Sequence, residues 1–500
     1  MASKQIFLAA MLFWSVAASS QTAQDSVYVF QNDQPNAVNF LPAPPDTSSA
    51  VFFDDMVQYQ WGKSVRNTPR GRQASIESSW TADAMRVIMA EALGLKAITP
   101  QATPALDRLL VKTYNTGNDS PTAPRDFYKR LWPCQQMNDP LLAQYAADNQ
   151  RANGSYPSCP TASGWATALV FAEMWPELQD TILRRGFLFG ENCVINGTHY
   201  QSDVTVGFLC GAASIARAHT NPELEKDILA ARAEYARLKG LPENYDPVTA
   251  ADVPHGECIL NNPIDTTSYR YITDMTQYWG AKPLRSSERG KRAATEAEYS
   301  VTMMCHVFGE AANITLSADA SPAIYALLDT VLVKASETAD RLKPIRFRKR
   351  PFVQLGEPSF VPGDEEKERG KSSFPSGHTN LGWVTALIMA EVAPEYQDTI
   401  LRRGFDYGYN RLIVGYHWFT DIEATRQMSA ALVARLHADA GIRQMIAAAR
   451  AEYVGQEGSA VRSVSAPNAS ADGRTYTLSG RQATETTHGI VIKDGRKSIR

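Results

Sequence analysis

An all-α protein, built as two tandem helical-bundle domains with a short tail of β character, is the fold that the sequence predicts, and three observations predict it. The word Gln179-Asp180-Thr181-Ile182-Leu183-Arg184-Arg185-Gly186-Phe187 recurs unchanged at Gln397 to Phe405, an offset of 218. Apolar residues recur at spacings of three and four over long stretches, the period of a helix, and no segment of either copy sustains the alternation of a strand. Pro176 and Pro394 each follow a long apolar run and stop it.

Taken in order, residues 1–22 read as a secretory signal peptide: Lys4, an apolar run from Ile6 to Ala18, then small residues and Gln21, with cleavage expected between Ala17 and Ala23. That run is short for a membrane span, and no later stretch is long enough to be one. Residues 24–50 are polar, carry Leu41-Pro42-Ala43-Pro44-Pro45, and read as an extended lead-in. The first copy of the repeat is expected over residues 40–245 and the second over 255–454. Tyr156-Pro157-Ser158 parallels Phe374-Pro375-Ser376, Gly164-Trp165 parallels Gly382-Trp383, and Ala233-Glu234-Tyr235 parallels Ala451-Glu452-Tyr453, all at an offset of 218. Asp55-Met56 and Asp274-Met275 align at 219. Residues 240–252, with Pro242 and Pro247, read as the linker between copies. Helices are expected over 79–95, 299–312, 324–332, 379–392, 398–405 and 423–436. Residues 455–500 form the tail: a Gly/Ser/Ala-rich linker through Asp472, then a strand–turn–strand pattern over 475–481 and 489–497.

Composition sets outer bounds. Hydrophobic residues make up 44% and charged residues 21%, enough for sizeable cores. The formal net charge of −3 offers no basic field for nucleic acid. The six cysteines, Cys134, Cys159, Cys193, Cys210, Cys258 and Cys305, permit disulfides in an exported chain, and none are spaced as a structural zinc site.

Chemistry concentrates between residues 343 and 421. The turn Ser372-Ser373-Phe374-Pro375-Ser376-Gly377-His378-Thr379 opens an apolar helix, and unpaired N–H groups at a helix start favour an anion. Upstream lie Lys343 and, after six residues, Arg350-Pro351; downstream lie Asn410-Arg411, five residues, His417, three residues, and Asp421. Lys343, Arg350 and Arg411 can neutralise phosphate oxygens, and Ser376 with the N–H groups of Gly377 and His378 can complete the cradle. His417 reads as a nucleophile whose other nitrogen Asp421, four residues on, can hold; His378 reads as the acid on the leaving alcohol. With Asp421 as the cluster's single carboxylate, no metal or other cofactor is expected.

These residues resemble the signature of the type 2 phosphatidic acid phosphatase (PAP2) superfamily: Lys-x6-Arg-Pro, Pro-Ser-Gly-His, and Ser-Arg-x5-His-x3-Asp, with Asn410 in place of the serine. The surrounding words resemble its bacterial class A non-specific acid phosphatases, over most of residues 40–453. The resemblance implies an all-α bundle of the PAP2/haloperoxidase type in each copy, a phosphohistidine at His417, and an exported, metal-independent acid phosphatase acting on small phosphomonoesters in the periplasm or at the cell surface. The related vanadium-dependent haloperoxidases, and a binding protein without activity, are the alternatives. The tail resembles the C-terminal sorting domains of secreted Bacteroidetes proteins.

Alignment of the copies sets Arg125 opposite Lys343, Trp132 opposite Arg350, Cys159 opposite Gly377, Pro160 opposite His378 and Cys193 opposite Arg411, while His199 and Asp203 stand opposite His417 and Asp421. Copy one is therefore expected to be inactive and to pack on copy two as an internal pseudo-dimer. Cys159 and Cys193 replace residues of one pocket, so a disulfide between them, or two free buried thiols, is expected.

Overall fold

The computed structural model describes residues 26–139, 154–242, 253–464, 475–477, 490–493 and 496–499. The expected signal peptide and most of the 240–252 linker lie outside them. Residues 1–450 form one compact unit and 451–500 another.

Among the described residues of the first unit the regular structure is helical. Counting helices of eight residues or more, the first half holds α1 (Ala50–Val65), α2 (Pro69–Ile76), α3 (Ala82–Ala92), α4 (Pro104–Asp119), α5 (Cys159–Met174), α6 (Gln179–Asn196), α7 (Gln201–Ala218) and α8 (Pro222–Lys239). The second half holds α9 (Tyr271–Ala281), α10 (Glu288–Thr295), α11 (Val301–Ala311), α12 (Pro322–Leu342), α13 (Gly377–Val392), α14 (Gln397–Val414), α15 (Phe419–Ala438) and α16 (Ala440–Val464). Each helix of the first set has its counterpart eight numbers later. The expected helices all fall within this set.

The local sequence explains the boundaries. Ser158 and Ser376 cap α5 and α13 by accepting from the N–H groups of Thr161 and Thr379. Pro104 and Pro322 occupy the first turns of α4 and α12, where a missing N–H costs nothing. Gly197 and Gly415 end α6 and α14 at φ of 79° and 84°, a conformation that disfavours any side chain. The chain then turns directly into His199 and His417.

Helices α5 and α13 are apolar and buried almost all round, as expected for the central rod of a bundle. Between the halves, α5 packs against α15, and α7 packs against α13 and α15. Ion pairs and hydrogen bonds add to this contact: Arg270 grips Asp54 through two nitrogens at 2.9 and 3.0 Å, and Thr273 donates to the Ala50 carbonyl.

Two stretches differ from the sequence reading. The lead-in is anchored rather than extended: Tyr28 donates to Asp227 at 2.7 Å, Asn36 N–H and Asn39 Nδ2 donate to Asp398, and Phe40 is fully buried. Its apolar residues are too sparse to show a period, but Tyr28, Val29, Ala37, Phe40 and Leu41 find tertiary slots, while Phe30 stays exposed. Helix α16 continues to Val464, past the point where Gly455 and the small residues after it suggested a linker; Gln456, Glu457, Ala460 and Arg462 are good helix formers, and one glycine costs only about 1 kcal/mol. The second unit also carries a small antiparallel sheet, β1 (Thr475–Thr477), β2 (Ile490–Lys493) and β3 (Arg496–Ile499), in the order β1-β2-β3. The second expected strand is thus two. No helix among the described residues is long and apolar enough to cross a membrane.

Candidate active site

The starts of α13 and α15 and the ends of α12 and α14 converge on a cavity of about 460 Å³ in the second half. It is lined by Lys343, Arg350, Gly377, His378, Arg411 and His417, with Tyr299 and Glu368 at its wall. Residues scattered over 343–417 therefore do share one pocket. Ser376 lies just behind the lining: its hydroxyl caps α13 and accepts from Thr379, and its N–H donates to Thr425. A side chain on Gly377 would meet its nearest neighbours, Lys343 Nζ and Tyr299, only at 3.9 and 4.0 Å, so the glycine leaves open space between the cations.

The cations differ in how they are committed. Lys343 pairs with Asp340 at 2.7 Å. Arg350 pairs with Glu368 at 2.6 Å and donates to the Tyr416 carbonyl and His417 Nε2, both at 3.2 Å. Arg411 is 4% exposed, yet its Nε and Nη1 have no hydrogen-bond partner. Burial pushes its pKa down to about 10, and Arg350 adds to the shift. A buried guanidinium without acceptors is costly unless an anion arrives.

The histidines are held in defined states. Nδ1 of His417 lies 2.6 Å from the Ser373 carbonyl, which only accepts; Nδ1 therefore carries the proton and Nε2 keeps its lone pair toward Arg350. Burial, then Arg350 and Arg411, hold its pKa well below the ordinary histidine value. Nε2 of His378 lies 2.9 Å from the Ala297 carbonyl, and burial with Arg411 depresses its pKa as well.

Asp421 requires a correction. It does not hold the His417 proton; its Oδ1 accepts from Arg348 at 2.6 Å and its Oδ2 from the Trp418 N–H at 3.0 Å. The four-residue spacing suggested one helical turn, but His417 precedes α15, which starts at Phe419, so the i,i+4 geometry does not apply. Asp421 is spent on the first turn of the helix.

Arg348 is the main residue that the sequence reading passed over. It joins Asp421 to Asp274 at 2.6 and 2.5 Å and donates to Thr420. The signal was available: Arg130 lies 218 residues earlier, and joins Asp203 to Asp55 at 2.5 and 2.7 Å. Glu368 and Asp340 were also missed, so Asp421 is not the cluster's single carboxylate. Asn410, which departs from the signature, donates to Glu296 at 2.5 Å, as Asn192 donates to Glu77 at 2.7 Å in the first half. The departure is shared by both copies and ties α14 to the end of α10.

The equivalent place in the first half is filled. The Trp132 ring lies on His199 with centroids 4.7 Å apart, and Arg125 donates to Cys159 Sγ at 2.7 Å. His199 keeps its Nδ1 contact to the Ser155 carbonyl at 2.8 Å. The expected Cys159–Cys193 disulfide is absent: both are free, because Cys159 points to Arg125 whereas Cys193 lies behind Ser158 Oγ at 3.7 Å. Burial pushes the Cys193 thiol up to about 12, so it is held as an inert thiol.

Comparison with known proteins finds one family in both halves. The profile of the PAP2 superfamily matches residues 115–225 and again 321–443, one region in each half. A non-specific acid phosphatase of Providencia stuartii is 36% identical over 220 residues, covering 44% of this chain and 88% of the relative. This chain belongs to the PAP2 superfamily. A non-specific acid phosphatase of Salmonella typhimurium is 32% identical over 227 residues, 45% of this chain and 90% of the relative. An acid phosphatase of Zymomonas mobilis is 34% identical over 171 residues, 34% of this chain and 65% of the relative. Within the superfamily the chain thus sits with the acid phosphatases, consistent with the class A branch, and is a phosphoric monoester hydrolase.

Proposed function

We propose that this PAP2 acid phosphatase works from its second half alone and hydrolyses small phosphomonoesters through a phosphohistidine at His417. The observation that carries the reading is Arg411: a buried cation with two unsatisfied nitrogens in the same cavity as an unprotonated His417 Nε2. A phosphate dianion supplies the missing acceptors.

Lys343, Arg350 and Arg411 hold the non-bridging oxygens, with the Gly377 and His378 N–H groups at the positive start of α13. His417 Nε2 attacks phosphorus as the bond to the leaving oxygen breaks. His378 donates a proton to that oxygen, so the alcohol departs neutral. The cations that depress the His378 pKa in the free pocket are offset by the bound dianion, which favours the protonated acid when substrate is present. Neutral His378 then takes a proton from water, the oxygen attacks phosphorus, the P–N bond breaks, and phosphate leaves with His417 restored. Asp421, through Arg348 and the α15 first turn, positions this histidine without touching it.

The first half, over residues 40–245, is an inactive copy of the domain at 255–454. It packs on that domain as an internal pseudo-dimer, supported by the reciprocal contacts of α5 with α15 and of α7 with α13. Residues 1–22 direct export to the periplasm or cell surface, and the tail over 455–500 serves as a sorting segment. The test is phosphate release from an aryl phosphate at mildly acidic pH with chelator present. Wild type and His199→Ala are expected to be active and His417→Ala inactive, with acid-labile phosphate trapped on protein only in the first two. Activity that survives His417→Ala overturns the reading.

A further inference from the structure

Where the two halves meet, two histidines and two glutamates face one another away from the catalytic cavity. Glu173 lies near the end of α5 and Glu391 near the end of α13; His219 follows α7 and His437 lies in the last turn of α15. Each pair is related by the repeat offset of 218. The imidazole rings of His219 and His437 stack with centroids 3.8 Å apart and planes 20° apart. His437 Nε2 lies 2.8 Å from Glu391 Oε2, and His219 Nε2 lies 3.2 Å from Glu173 Oε2. Leu169, Ala212, Ala216 and their counterparts Leu387, Ala430 and Ala434 wall the cluster, around a void of about 10 Å³.

This arrangement has the attributes of a ligand set. His437 Nδ1 lies 2.9 Å from the Val433 carbonyl, which fixes the proton there and aims Nε2 into the cluster. Glu173 is 3% exposed, and its Oε2 has no hydrogen-bond partner despite its nearness to His219. Ligand atoms of His219, His437 and Glu391 all lie within 4.8 Å of one another. Charge selects the occupant. Two carboxylates behind an apolar wall must be neutralised. Arg232, which donates to the Glu173 main-chain carbonyl at 2.9 Å, contributes part of that charge, and protons on both imidazoles would supply the rest only by stacking two cations face to face. One divalent cation neutralises both carboxylates and leaves both rings uncharged.

We propose that the interface between the halves binds one divalent transition-metal ion of the zinc class, through Nε2 of His219 and His437 and the carboxylates of Glu391 and Glu173. Two imidazoles and two carboxylates form a four-coordinate set suited to that class. A tetrahedral ion with bonds of about 2.0–2.2 Å has ligand atoms about 3.4 Å apart, so on binding the stacked rings splay to turn both Nε2 lone pairs onto the ion and Glu173 swings in as the fourth ligand. The ion clamps the two halves and takes no part in phosphate transfer.

Cobalt(II) titration of the full, metal-stripped chain tests this, in a Cys258→Ser background that removes the thiol of the separate Asp180, His255 and Cys258 group. The expected result is one equivalent bound with the visible bands of four-coordinate cobalt, displaced by zinc. Zinc is expected to raise the melting temperature of this protein but not that of His437→Gln, whose cobalt affinity falls at least about tenfold. Absence of the bands in the folded parent protein, or bands unchanged in the His219→Gln/His437→Gln double variant, overturns the proposal and leaves a proton-bridged quartet.

Discussion

The two halves place the same frame around two different interiors. In both, an arginine joins two buried aspartates at the start of a helix, Arg130 with Asp55 and Asp203, Arg348 with Asp274 and Asp421. In both, a histidine gives its Nδ1 to a serine carbonyl, and an asparagine ties a glutamate at the end of α2 or α10 to α6 or α14. Only the second half adds Lys343, Arg350, Arg411 and His378 around an open cavity. The first half puts Arg125, Trp132, Cys193 and Pro160 in those places. Most of what both halves keep serves the bundle, the histidine being the exception, since His417 is the proposed nucleophile and His199 its counterpart; what only the second half carries is what the proposed reaction adds. The aspartate of the signature falls in the first class, which a single domain would not have revealed.

Substitutions can break or sharpen that division. The largest effect is expected at His417: His417→Ala lowers kcat by at least about 10³-fold, as for a missing nucleophile, while His199→Ala leaves it within about twofold. Steady-state phosphate release measures both. Next come exchanges that import the first half's residues. Arg411→Cys and Arg350→Trp each lower kcat/KM by about 10²–10³-fold, since each removes a donor to the developing charge; the reverse exchange Cys193→Arg adds no activity and lowers the melting temperature, because it buries an unpaired cation.

The arginine bridges should behave alike in the two halves for stability and differently for activity. Arg130→Ala and Arg348→Ala each leave two buried carboxylates unpaired, at about 3–5 kcal/mol, read as a lower melting temperature. Only Arg348→Ala also depresses turnover of the remaining folded protein.

A smaller effect is expected in the pH profile. His417 attacks as the neutral base, and burial with Arg350 and Arg411 depresses its pKa, so the acid limb of kcat/KM lies below the ordinary histidine range. Removing one of those cations in Arg350→Gln raises the His417 pKa, and the limb moves to higher pH on whatever activity remains. A limb that stays in place would mean that another group sets it. The smallest effect is expected at Asn410→Ser, which restores the signature residue and changes kcat by less than about twofold.

Much of this was legible in the chain. The offset of 218 marked the duplication, the three-and-four spacing marked the helices, and Lys343, Arg350, Gly377, His378, Arg411 and His417 do line one cavity. Arg348 was obscured because it stands in the basic run 346–350, where charge alone cannot separate a buried bridge from a solvated face. Its partner Asp274 lies 74 residues away on α9. The anchoring of the lead-in was equally hidden, since Tyr28 meets Asp227 across 199 residues.

The sequence by itself determined the period of each helix, its caps, and the residue types available at the pocket, because these depend on neighbours three and four positions away. Tertiary structure alone decided which acceptor holds the His417 proton, how Asp421 is spent, and that Glu173, His219, Glu391 and His437 meet. Those outcomes depend on where side chains from separate helices point once the bundles have packed, and chain spacing carries no information about that direction.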